Sequence, residues 1–434
     1  MIGRGVAFGV LLGALAGALG LVSSLHAQGP DGAVLERIVV VARHGVRSPT
    51  KTPEALSQYS AQAWPQWPVP VGELTPHGAA DVRIMGAWLR ADYARMGLWP
   101  ATGCPSTGAV YAWADGADQR TRASGDAVLA GAFPGCGLSA RHGPEGAKDP
   151  LFDAVSSGAC PIDADQAKAA VLAAVKGDLD RPSPDYEAGK AALAEVLDPA
   201  IGRQPCADAA GRCFLNGHNT LSVRNGDVRL DGPLATASTL SESLLLEYAQ
   251  GMPRDAVGWG RAGTSDQIAA VMGLHNIESD LMRRTPYLAD HNAALLARAV
   301  ADAVDGRPAL PQQGAAGTKL VLIAGHDTNL ANLAGVLGLD WTLAGQPDKT
   351  PPDASLVFEV WRKPSGEQVV KTALVYQTLD QLRDATVLDA AHPAGRVALK
   401  LAACTDGPDG VCSVGGFRRV IEAAVPAECK AVVK

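Results

Sequence analysis

The sequence contains no internal repeat, no low-complexity tract and no long run of one charge, so nothing divides it into beads on a string. It also lacks a surplus of positive charge. The formal net charge of -7 at pH 7 gives no general attraction to nucleic acid or to an anionic membrane. Beyond the first residues no stretch is apolar enough to cross a bilayer. There is no C-x-x-C, and no cysteine pair stands beside a suitably spaced histidine pair, which disfavours a zinc site. What remains is 434 residues with 47% hydrophobic and 19% charged content, the balance of an ordinary globular protein with a large core.

The opening "MIGRGVAFGVLLGALAGALGLVSSLHAQ" has Arg4, then an apolar run from Val6 to Val22, then small residues ending at Ala27. It reads as a secretory signal over residues 1–27, with an uncleaved anchor as the alternative because the run is long for a signal core. The chain from Gln28 onward is expected to be soluble and periplasmic, without membrane association after cleavage. All eight cysteines lie beyond that point, and their even number points to disulfides in an oxidising compartment.

Two β-branched runs, "RIVVVA" (Arg37–Ala42) and "KLVLIAG" (Lys319–Gly325), read as strands buried on both faces, as in a parallel sheet covered by helices. Between them, "TPHGAADVRIMGAWLRADYARMG" predicts an amphipathic helix: Thr75 caps, Pro76 suits the first turn, and Val82, Met85, Leu89 and Tyr93 share a face. Residues 151–289 are Ala-rich and helix-periodic. The expected fold is therefore α/β, a mixed and mostly parallel sheet flanked by helices, formed by residues 28–150 and 290–434 and interrupted by an inserted α-helical domain over 151–289. Alternation in "SLVFEVWR" and "TALVYQTL" predicts strands nearer a sheet edge.

Both apolar runs end in a histidine. Arg43 and His44 follow the first, and His326 and Asp327 follow the second, just before the helix-like "TNLANLAGVLG". Ligands of open α/β sheets gather beyond the carboxyl ends of strands, and a helix N-terminus favours an anion. Arg43 and Arg47 have the planar, paired donors that phosphate oxygens need. Together these residues read as a phosphate cradle, although a strand-end His is commonly structural and Asp327 could cap its helix.

The combination R-H-G-V-R-x-P-T at 43–50 with H-D-T-N at 326–329 resembles the histidine acid phosphatases, and among them the bacterial periplasmic phytases of the two-domain branch. The likeness runs through nearly all of the mature chain, including "LHN", "RRTP" and "GQPDKTPP". It implies an acid phosphomonoesterase acting on phytate and other phosphomonoesters through a phosphohistidine on His44, with Asp327 protonating the leaving group. Arg43, Arg47, Arg120 and His326 would hold the phosphoryl oxygens. Thr50, Lys51 and Glu242 would meet the rest of the substrate. No metal or other cofactor is implied, and the expected partner is a small phosphomonoester, bound by a monomer.

Several of these residues have a second reading. Arg122 competes with Arg120, a solvated loop is the alternative for Thr50 and Lys51, and Thr239 with Glu242 has the spacing of a capping box. His275 of "LHN" is open between site and core. The resemblance also implies the pairs Cys104–Cys136, Cys160–Cys429, Cys206–Cys213 and Cys404–Cys412. Asn292 departs from the pattern, since the related phytases carry an arginine there. A glucose-1-phosphatase, whose relatives tend to have Ser where Thr328 stands, and a phosphate-ester binding protein without turnover are the other functions considered.

Overall fold

The computed structural model describes Met1 and residues 32–198, 212–314, 317–407 and 410–431. The signal reading, apart from Met1, and Cys206 lie outside the described residues. The strands are β1 (Val34–Arg43), β2 (Val110–Ala114), β3 (Arg141–His142), β4 (Thr220–Arg224), β5 (Asp227–Asp231), β6 (Leu320–Gly325), β7 (Ser355–Arg362), β8 (Gln368–Tyr376), β9 (Gly395–Leu399) and β10 (Cys412–Ser413). All but β4 and β5 form one mixed sheet in the order β10-β8-β7-β1-β6-β2-β3, with β9 also on β8. The pairings from β1 through β6 and β2 to β3 are parallel, and those of β7 to β10 are antiparallel.

The period of two sends alternate residues of the central strands to opposite faces. Val39, Val41, Val321 and Ile323 enter one core, while Ile38, Val40, Ala42, Leu322 and Ala324 enter the other. Helices α1 (Pro53–Ser57), α2 (Pro76–Arg95) and α3 (Gln119–Ala132) follow β1 and β2. The Thr75 hydroxyl caps α2 by accepting from the Gly78 N–H at 2.9 Å, and Val82, Met85, Leu89 and Tyr93 are all buried. Gly86 lets α2 and α3 touch, because a Cβ there would strike the Val128 backbone.

Helices α4 (Ala164–Ala174), α5 (Tyr186–Leu197), α6 (Pro233–Ala249) and α7 (Ser265–Arg283) share a separate apolar core through Ala167, Leu193, Leu240, Leu244, Val271 and Leu274. This region also holds the β4–β5 hairpin, which the helical reading misses; Asn225 and Gly226, with φ of 53° and 75°, make its turn. Helices α8 (Pro286–Asn292) and α9 (Ala294–Val304) return to the sheet, followed by α10 (Asp327–Leu337), α11 (Leu379–Arg383) and α12 (Val414–Ala424). No described helix is long and apolar enough to cross a membrane.

β7 and β8 lie toward the β10 end of the sheet, as their alternation predicts, but β7 is not an edge strand. That strand lies between β1 and β8, buried along its length except at Arg362. Its alternating polar position Glu359 faces the interior, where it accepts from Tyr93 at 2.9 Å, Trp361 at 3.0 Å and Arg396 at 2.5 Å. The alternation records internal hydrogen bonding, not solvent.

Disulfides join Cys104 to Cys136, Cys160 to Cys429 and Cys404 to Cys412. The second closes a separation of 269 residues and the third one of 8. Loop-closure entropy then makes removal of Cys160–Cys429 cost about 5 kcal/mol, roughly twice the cost at Cys404–Cys412. Denaturant midpoints of the two double-alanine variants measure this, and equal losses would refute it.

Candidate active site

The site forms where β1, β6 and β2 end together. Arg43 lies in register with Gly325, the His44 N–H donates to the Gly325 carbonyl at 3.0 Å, and the Asp115 N–H donates to Ala324 at 3.0 Å. Parallel pairing thus sets His44, His326 and Asp115 side by side although they are remote in sequence.

His44 is buried, and its Nδ1–H donates to the Gly45 carbonyl at 2.9 Å. A carbonyl can only accept, so the neutral ring carries its lone pair on Nε2. Burial, then Arg120, Arg43, Arg47 and His326, hold its pKa well below the usual histidine value. The ring stays neutral in acid.

Arg43 is fully buried, donating to Asp348 at 2.8 Å, to the Thr350 carbonyl at 2.5 Å and to Glu242 at 2.6 Å. Arg47 reaches both Glu242 oxygens at 2.9 Å. Arg120, on the first turn of α3, pairs with Asp118 at 2.8 Å and lies 3.4 Å from His326 Nδ1. Burial and the neighbouring Arg47 push the Arg120 guanidinium down, against Asp118, Asp327 and Glu242, which favour its charge. Arg122 turns away, to the Gly116 carbonyl at 2.7 Å and Glu145 at 3.0 Å, so Arg120 is the arginine brought to the cradle.

His326 is the residue that precedes the first turn of α10, and Asp327 is the first helical position, not the cap. The His326 N–H donates to Asn329 Oδ1 at 2.9 Å, and its Nε2–H to Asp115 at 2.8 Å, which fixes the ring. Burial would raise the pKa of Asp327, but Arg43, His275, Arg47 and His326 outweigh it and hold the carboxyl well below its ordinary range. Asp115, Asp118 and His326 are also the grouping with metal-ligand proximity among the described residues, their ligand atoms lying within 4.8 Å of one another.

The capping-box alternative for Glu242 fails. Both residues lie inside α6, where the Thr239 hydroxyl donates to the Ala235 carbonyl at 3.2 Å, and the Glu242 carboxylate instead bridges Arg43 and Arg47. Thr50 and Lys51 are exposed, with Lys51 lining a cavity of about 290 Å³ beside Tyr59, Thr236 and Thr239. Asn292 folds back onto α8, its amide donating to Leu288 at 3.1 Å. His275 is buried, with Nδ1 at 3.1 Å from the Ser238 hydroxyl. Burial opposes its charge, yet Asp348, Glu242 and Asp327 together raise its pKa. Sequence reasoning missed Asp348 and Asp115, although "GQPDKTPP" and "AVYAWAD" already contain them.

The family model of the histidine phosphatase superfamily (branch 2) matches residues 34–375, a span that holds every residue of this site. The chain belongs to that superfamily. Within the superfamily it is 38% identical over 419 residues to Phytase AppA of Escherichia coli, covering 93% of this chain and 95% of that protein. It is 30% identical over 417 residues to a glucose-1-phosphatase of Salmonella typhimurium, covering 95% and 98%. Among solved structures of the superfamily, the phytase of Hafnia alvei, in complexes with tartrate and with myo-inositol hexakis sulphate, superposes with a TM-score of 0.85 at 41% identity, covering 92% of this chain and 99% of that one.

Proposed function

We propose that this protein is an acid phosphomonoesterase that hydrolyses phytate and other phosphomonoesters through a phosphohistidine on His44. The observation that carries the reading is a neutral histidine whose free Nε2 belongs to a site crowded by three arginines. In the first step the Nε2 lone pair bonds to phosphorus, the ester P–O bond breaks, and Asp327 gives its proton to the departing alkoxide. Water then attacks phosphorus, passes a proton to Asp327, and releases phosphate as the P–N bond breaks. Arg43, Arg47, Arg120 and His326 supply positive charge and donors to the three non-bridging oxygens.

For this to begin, Arg43 and Arg47 exchange Glu242 for phosphate, and the dianion offsets the cations that keep Asp327 ionised, so Asp327 takes up a proton with the substrate. Glu242→Gln is expected to bind inorganic phosphate on the order of tenfold more tightly at pH 5, since no charge-assisted contact has to be displaced. Competitive inhibition measures the effect, and unchanged affinity would show that Glu242 leaves at no cost.

Phytate is favoured by the identity to two phytases over most of the chain; Lys51, on the cavity it lines, and the exposed Thr50 next to it in sequence suit further phosphate groups. Residues 151–289 are read as an inserted domain whose α6 forms one wall of the site. Export of a monomer to the periplasm agrees with the disulfides. Steady-state rates on phytate beside glucose 1-phosphate test the substrate, and a preference for the sugar phosphate would replace phytase with glucose-1-phosphatase. Absence of phosphate release from any monoester would leave only a binding protein.

A further inference from the structure

A second set of acids lies behind the nucleophile and takes no part in phosphoryl transfer. Asp81 on α2 and Asp353 in the turn before β7 are both buried, at 0% and 1% exposure. Neither Asp81 oxygen has a hydrogen-bond partner, and Asp353 Oδ1 has none. The Gln377 amide, oriented with its nitrogen toward them, links the two: it donates to Asp353 Oδ2 at 2.7 Å and to the Asp81 backbone carbonyl at 3.3 Å.

The pair is joined to the reaction through the backbone. The Asp353 N–H donates to the His44 carbonyl at 3.0 Å, and the Arg43 N–H donates to the Ala354 carbonyl at 2.9 Å, so the 353–354 turn braces the peptides around the nucleophile. Asp353 holds a left-handed backbone, φ 67°, which Asp and Asn tolerate better than most residues. The groups facing the pair are few. His77, one turn before Asp81, has Nε2 at 3.5 Å from Asp81 Oδ2, but its proton goes to the Leu382 carbonyl at 2.7 Å. Gln377 is neutral, and no Lys or Arg pairs with either carboxyl among the described residues.

We propose that Asp81 and Asp353 are a positioning pair for His44: protonated, they let the 353–354 turn rest against the nucleophile, and ionised, they repel each other and push it away. The catalytic part of this inference rests on the proposed role of His44. Two buried carboxylates with no cation between them cannot both carry charge cheaply. Burial pushes Asp81 up to about 9, and burial together with the charge of Asp81 pushes Asp353 well above the carboxyl range. Raised folded-state values mean that the stability they permit is complete below the unfolded pKa of about 4 and is lost as pH climbs toward the folded values.

The experiment compares Asp81→Asn, Asp353→Asn and the double variant with the natural protein at pH 5, pH 8 and pH 10. The readouts are Tm and kcat/KM on p-nitrophenyl phosphate, whose leaving group needs no proton and so reports on His44. The amide mimics the protonated acid. All forms should match at pH 5. At pH 8 the variants should have the higher Tm, because the unfolded carboxyls ionise there while the folded pair stays protonated, and at pH 10, about one unit above the Asp81 value, they should retain roughly tenfold more of their pH 5 activity. A pH-independent change in both readouts overturns the proposal. If Tm responds as stated and the activity profile does not, the pair is structural and does not position His44. If millimolar calcium raises Tm of the natural protein at pH 8 but not that of the double variant, a cation fills the role given to the proton, and the proposal is again overturned. Should the variants fail to fold, isotope-edited infrared spectroscopy of the natural protein decides: a protonated aspartic acid band must persist at pH 7.

Discussion

Asp327→Asn is expected to lose about 10²–10⁴-fold in kcat/KM on phytate and other alkyl phosphates, and far less on p-nitrophenyl phosphate. An alkoxide is a poor leaving group and needs the proton, whereas a nitrophenolate departs without it. The free site keeps Asp327 ionised because Arg43, His275, Arg47 and His326 together outweigh its burial. Its proton therefore arrives with the substrate, and protonation of the complex sets the upper pH limit. His44 imposes no matching limit in mild acid, since its own pKa is pushed down. Activity on alkyl phosphates should accordingly be highest in the acidic range and fall toward neutrality. Equal proportional losses on both substrates, with phosphoenzyme formation rate-limiting in each, would show that Asp327 only positions the phosphate.

His44→Ala should abolish the phosphoenzyme and lower turnover by about four orders of magnitude or more, because no other group takes over a missing nucleophile. The trap is an alkaline quench, as phosphohistidine survives base and not acid. The hydrogen bond from Nδ1 to Gly45 adds a sharper expectation: the phosphoryl group sits on Nε2. Labelled substrate that leaves no base-stable label on residue 44, or a label on Nδ1, would contradict the arrangement.

The cradle was legible because each half announces itself locally, an apolar run ending in Arg43 and His44 and another ending in His326 and Asp327. The topology needed only parallel pairing to bring them together. The carboxylate that holds Arg43 from behind was not legible in the residues themselves. Asp348 serves Arg43 from 305 residues away, and nothing in its neighbourhood says so. Glu242 shows how one spacing supports two structures: Thr-x-x-Glu fits a helix start or a helix interior, and only the position of Pro233 at the start of α6 settles which. The β4–β5 hairpin had its Asn225-Gly226 signal, but the surrounding helical texture outweighed a dipeptide. Alternation in β7 does not by itself say whether a polar position meets solvent or an internal partner, and Glu359 has internal partners.

The central place of β1 in the sheet bears on how the chain is made. Its neighbours are segments 320–325 and 355–362, so during synthesis at about 5–20 residues per second β1 emerges long before either edge can be paired. An unpaired strand of Val, Ile and Ala is a template for the wrong partner, another copy of itself included. The ribosome therefore delivers the nucleophile's own strand first and its protection last, and the stretch most exposed to misassembly is the one on which the chemistry depends.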